Sequence, residues 1–167
     1  MDNRIAKVAS AMMQKNVGDL KRIEHSLKVY AYARNLGIAE LLEPWLLEVL
    51  ELTALLHDIG IHMAEKKYGK CTGQDQEEEG PPIAREILKS LSFSEDIIDR
   101  VCFVISKHHT FTAVDGIDFQ LLVEADFLVN SSEDQMSEYQ ITHFAKNIFR
   151  SESGLDYLRL LHPHLSL

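Results

Sequence analysis

Apolar residues recur three and four positions apart along nearly the whole chain, and glycine and proline interrupt them rarely. That period belongs to helices, and no stretch alternates for long enough to predict a strand. The spacing predicts a first helix over Asn3–Lys15, with Ile5, Val8, Ala9 and Met12 inward, and a break at Gly18-Asp19 where Asp19 suits an N-cap. A second helix runs from Leu20 to Leu36 and stops at Gly37. Leu20, Ile23, Leu27 and Ala31 form its main stripe; His25, Val29, Tyr32 and Leu36 form a second one, which turns His25 inward. Pro44 suits the first turn of the next helix, which runs through WLLEVLELTALL to His57-Asp58. The pattern then breaks from Gly60 to Gly80. A short helical turn over HMAEKKYG and a polar, acidic loop over CTGQDQEEEG are predicted there, together forming a mobile lid from His62 to Gly80. Pro81-Pro82 would open the helix that carries Ile83, Ile87, Leu88 and Leu91. Ser94-Glu95 opens another, ending at Lys107-His108-His109, and DFQLLVEADFLVN follows the loop Thr110–Gly116. Two amphipathic helices, Ser137–Phe149 and Leu155–Leu161, finish the chain. The expectation is one all-α domain over 1–167, a bundle of seven or eight helices, with helices in 137–162 packed on its core.

Two of these helices are apolar on nearly every side, which marks them as buried. Each also carries an acid that a buried helix does not need: Asp58 at the end of one, Asp126 within the other. Burying a carboxylate costs several kcal/mol, on the order of the penalty for any unpaired ion, unless it is paired or bound to a metal. Histidines lie on three helices, as His25, His57 and the pair His108-His109. Imidazole with carboxylate is a ligand set for Zn, Fe, Mn, Co or Ni. Residue types and spacing alone serve equally well for histidines satisfied within a structural core.

Composition narrows the field. Of 167 residues, 46% are hydrophobic and 26% charged, as in ordinary globular proteins, and the net charge is −9. That balance argues against a broad nucleic-acid-binding face; an acidic protein that handles phosphates needs a cation. Cys71 and Cys102 form no paired ligand motif, which suggests a reducing compartment. With no run long enough to span a membrane and no secretory segment, the cytoplasm is the expected location.

His25, LLHDIG at 55–60, His108-His109, and EADFL around Asp126 together resemble the HD-domain metal-dependent phosphohydrolase superfamily, over about residues 20–130. The dipeptide alone is weak; the order H, HD, D on successive helices is specific. The resemblance implies one divalent transition metal held by His25, His57, Asp58 and Asp126, and hydrolysis of a small phosphate ester, typically of a nucleotide. Asp58 would also take a proton from water, with His108, His109 and Lys107 serving the phosphate or leaving group. Arg22, one turn before His25, would reach a substrate phosphate.

Two positions depart from the pattern. Gln76, in QEEEG, stands where relatives with a second metal have histidine, which favours a one-metal site. Ile61 stands where HDIGK-like relatives have lysine, leaving Lys66, Lys67 or Lys107 as substitutes. Two other functions fit the same fold: a non-catalytic module that binds metal and nucleotide for regulation, and a di-iron oxygenase, against which Gln76 argues. A homodimer is compatible with all three.

Overall fold

The computed structural model describes residues 3–166. Among these the chain forms nine α-helices, one 3-10 turn and no strand. The helices are α1 (Arg4–Lys15), α2 (Leu20–Ala39), α3 (Pro44–Leu56), α4 (Ile61–Tyr68), α5 (Gly73–Ser90), α6 (Glu95–Ile105), α7 (Ile117–Glu133), α8 (Glu138–Ile148) and α9 (Glu152–Leu161); the 3-10 turn is Phe111–Ala113. The all-α expectation holds, and the turn foreseen over HMAEKKYG is long enough to count as the helix α4.

α3 divides the interior. All eight residues from Val49 to Leu56 are buried. Leu50 and Ala54 face a core built with α2, α7, α8 and α9, where Phe119, Leu122, Ile141 and Leu158 meet. Val49, Leu52, Leu55 and Leu56 face a second core built with α1, α5 and α6, around Met12, Leu88 and Ile98. His57 and Asp58 therefore leave α3 at the seam between the two cores.

Acids within the apolar helices are resolved in two different ways. Glu51 is buried against Arg34. Glu124, fully buried, accepts hydrogen bonds from Gln120 Nε2 at 2.7 Å and from the amides of Arg150 and Ser151 at 2.7 and 3.0 Å, tying the start of α9 to α7. Asp58 and Asp126 have no such protein scaffold.

Two details of the sequence reading are corrected. On α2, Leu20 and Leu27 are exposed, at 66% and 36%, while Val29 and Leu36 are fully buried. The stripe that carries His25 is the core face, because α3 and α7 both pack on that side. The polar stretch after Gly69 is a loop only as far as Thr72. Thr72 and Asp75 form a capping box, with Asp75 N donating to Thr72 Oγ1 and Thr72 N to Asp75 Oδ2, so α5 begins at Gly73. Pro81 and Pro82 consequently lie inside α5 instead of opening it. Their missing N–H groups break the helical ladder, and packing holds the helix across the gap. Lys67 and Tyr68 of α4 both bind Glu79 of α5, at 2.6 and 2.8 Å. The segment 62–80 is thus two clasped helices joined by a short connection at 69–72, which leaves little of the long loop that the lid expectation needs.

The clasp closes on two glycines. A Cβ on Gly60 would stand 2.5 Å from the backbone nitrogen of Gly80, and one on Gly80 would meet Ile105 at 2.7 Å. Neither backbone can yield easily, so Gly60→Ala should destabilise the protein by about 1–3 kcal/mol, the range for overpacking. Urea unfolding would show this as a lower midpoint; an unchanged midpoint would contradict the close approach.

Candidate metal centre

Three histidines are fixed from behind. His25, on α2, donates from Nδ1 to Glu133 Oε2 at 2.9 Å, and Lys28 Nζ holds the other oxygen of Glu133 at 2.9 Å. His57 donates from Nδ1 to the carbonyl of Ala54 at 2.9 Å, and His108 from Nδ1 to that of Ile105 at 2.7 Å. A carboxylate or carbonyl can only accept, so each Nδ1 carries a proton, and the neutral form of each ring has its lone pair on Nε2.

Those lone pairs converge on carboxylates. His25 Nε2 lies 3.3 Å from His57 Nε2. Asp126 Oδ1 lies 3.1 Å from the first and 3.5 Å from the second. Asp58 Oδ2 stands 3.6 and 3.5 Å from the same two atoms, while its Oδ1 stands 3.6 Å from His108 Nε2. One ligand atom each from His25, His57 and Asp58 falls within 4.8 Å of the others, and so does one each from Asp58, His108 and His109.

With the rings neutral, all of these groups are acceptors turned toward one another. Asp126 Oδ1 and His108 Nε2 are buried with no hydrogen-bond partner. A buried polar atom left so costs about 1–3 kcal/mol. Ligands about 2.1 Å from one ion stand about 3.0–3.4 Å from each other, close to the separations seen around His25, His57 and Asp126. The donor set therefore fits a divalent cation.

In the metal-free protein protons take that role. Burial pushes the His57 imidazolium toward losing its proton, but Asp58 and Asp126 outweigh it and raise its pKa to about 9. His25 is raised too, where Asp126 overcomes burial and the repulsion of His57. Burial works against ionising Asp58 and Asp126, yet the adjacent histidines hold both carboxyls below their usual range.

A family description, HD domain, matches residues 22–142 and so takes in every histidine and acid of the cluster. The chain belongs to the HD-domain family. HD domains bind divalent metals and are typical of metal-dependent hydrolases, and the order H, HD, D is present here on α2, α3 and α7. Neither the curated proteins nor the solved structures compared with it include a match. Among the described residues, no helix of this HD domain is long and apolar enough to cross a membrane.

The other residues singled out in the sequence divide. The ring of His109 lies against that of His108, with centroids 4.0 Å apart, and its Nε2 meets Gln76 Oε1 at 2.8 Å. Gln76 thus reaches the cluster's edge by holding a histidine. Arg22 lines a cleft of about 390 Å³ that also exposes His25 and Asp58, but it is already paired with Asp19 at 2.8 Å and Glu65 at 2.6 Å. Lys107 is exposed at the end of α6 and lines no part of that cleft. Residues that spacing had not suggested also take part. Glu133, seven positions after Asp126, shares its face of α7 and orients His25. Glu77 accepts from His109 N at 3.0 Å and Thr110 Oγ1 at 2.9 Å, fastening the His108-His109 turn to α5. Lys21 lines the cleft without an ion-pair partner among the described residues.

Proposed function

We propose that this HD domain hydrolyses a small phosphate ester, specifically a nucleotide, using one divalent transition metal held by His25, His57, Asp58 and Asp126. The observation that carries the reading is the convergence of inward Nε2 lone pairs and two carboxylates beside a cleft that Lys21 and Arg22 line together with Asp19, Glu133 and Asp134. When bound, such a cation lowers the pKa of water and neutralises charge that develops on the phosphoryl group.

The chain's own groups supply the remainder. Lys21 and Arg22 attract the phosphate to the cleft; Arg22 does so while shared with Asp19 and Glu65. Asp58 has one oxygen toward His25 and His57 and the other toward His108, so Oδ1 is placed to take a proton from water. His108 Nε2, beside that oxygen, receives this proton from Asp58 and passes it on to the leaving group. His109 donates from Nε2 to Gln76 and closes the outer side of the cluster. Lys107 has no part in this reading, because its exposed position lies away from the cleft.

The grouping of Asp58, His108 and His109 favours one alternative, a second cation on that side. The test separates them. His108→Ala should keep its metal and lose about a hundredfold in turnover across a panel of nucleotides, the usual scale for a lost proton-transfer group. Loss of metal from His108→Ala would favour two ions. No turnover of any phosphate ester by the metal-loaded protein would favour a regulatory module.

A further inference from the structure

A second, smaller cavity of about 170 Å³ adjoins the cluster, and Arg22 is not among its lining residues. The metal centre contributes Asp126 and His109 to its wall, and Asn130 lines both this cavity and the phosphate cleft. Its other walls are of a different character. Phe144 stacks flat on Phe127, with centroids 3.8 Å apart and planes 7° from parallel, and Phe111 stands edge-on to Phe144 at 5.3 Å. Met136 and Val123 complete the lining. A cavity of about 150 Å³ with apolar walls is enough to hold benzene, so this one has room for one flat ring.

Three features bear on what enters. Phe111 is 39% exposed on the 3-10 turn, so an aromatic face remains available beside the opening. The Asn130 side-chain amide makes no hydrogen bond to the protein among the described residues, and it offers both a donor and an acceptor at the polar end of an otherwise apolar pocket. Finally, the cavity begins where the cluster ends, so a molecule with its phosphate in the larger cleft would extend past Asn130 into it. Stacking of a base on an aromatic side chain tolerates any base, because every base has a π-face, while an amide reads its edge.

We infer that this cavity is the nucleobase subsite, in which the base stacks on the exposed face of Phe111, Phe144 closes the apolar wall and Asn130 hydrogen-bonds the edge of the base. The inference rests on the nucleotide reading above and gives that reading its selectivity. It also explains the division of labour on α7: Asp126 serves the metal, Glu133 orients His25, and Asn130, one turn from each, serves the base.

The test reads binding without turnover. The zinc-loaded protein is titrated by NMR with adenosine, guanosine, cytidine, uridine and, for comparison, ribose. At least one nucleoside should bind about fivefold or more tighter than ribose, the lower end of what one stacked ring contributes. Phe111→Ala should erase that preference while keeping its metal content and melting temperature, and Phe111→Tyr should restore it. Asn130→Ala should change which nucleoside is preferred. If no nucleoside outbinds ribose, or if Phe111→Ala keeps the preference, the subsite is overturned. Nucleoside selectivity in a protein that hydrolyses no phosphate ester would instead leave the subsite standing and remove the hydrolase.

Discussion

Asp58→Ala is expected to strip the protein of its metal and to lower phosphate-ester turnover by at least about a thousandfold, since a catalytic cation supplies several kcal/mol of charge stabilisation. Asp58 is the one residue whose two oxygens face both sides of the cluster, Oδ2 toward His25 and His57 and Oδ1 toward His108. Removing it takes a ligand and the acceptor of the water's proton at once. Restoring metal by raising its concentration should not restore turnover, because the proton acceptor is still missing. Full rescue by excess metal would reduce Asp58 to a ligand.

Chelation should lower the melting temperature, and the drop should grow as the pH rises from about 6.5 to 9. The sign follows from the histidines. His57 is raised from its ordinary 6.5 to about 9, and His25 is raised as well. A raised folded-state pKa gives stability that is full below about 6.5 and disappears as pH climbs through about 9. The metal-free protein therefore weakens over that window. Metal binding moves oppositely, because it must displace those protons and becomes tighter as they leave. Metal present at about a hundred times its Kd stabilises by about 2.7 kcal/mol, or roughly 5–10 °C for a chain of this size. The lowered carboxyls of Asp58 and Asp126 act at the other end: their contribution is present above about pH 4 and is lost as pH falls further. A chelator effect that is constant or shrinking with pH would contradict the proton–metal competition.

Much of the centre was legible in the sequence for a simple reason. An acid in a helix that is apolar on all sides is an anomaly, and Asp58 and Asp126 are such anomalies. That test does not discriminate among acids by itself, since Glu124 and Glu51 are equally anomalous and are satisfied by backbone amides and an arginine. What separates them is the motif order and the partners that the fold supplies. Glu133 escaped notice because it lies at the polar end of α7, where an acid is unremarkable; its i+7 relation to Asp126 was the available signal. The start of α5 was hidden by composition, since CTGQDQEEEG is polar and followed by two prolines. The Thr72-x-x-Asp75 capping box was the clue, and it outweighed Gly73 and the proline pair. On α2, the stripe with more leucines suggests the core face, yet the histidine on the other stripe is the better marker. Lys107 was placed by its neighbours His108 and His109, but one step along a helix end rotates a side chain by about 100°, enough to turn it to solvent.

The central claim is that His25, His57, Asp58 and Asp126 hold one metal ion. Elemental analysis of the purified protein beside Asp58→Ala and Asp126→Ala tests it most directly. The account predicts close to one transition metal per chain in the parent protein and almost none in either variant, with circular dichroism showing that both remain helical. Full metal content in both folded variants would contradict it.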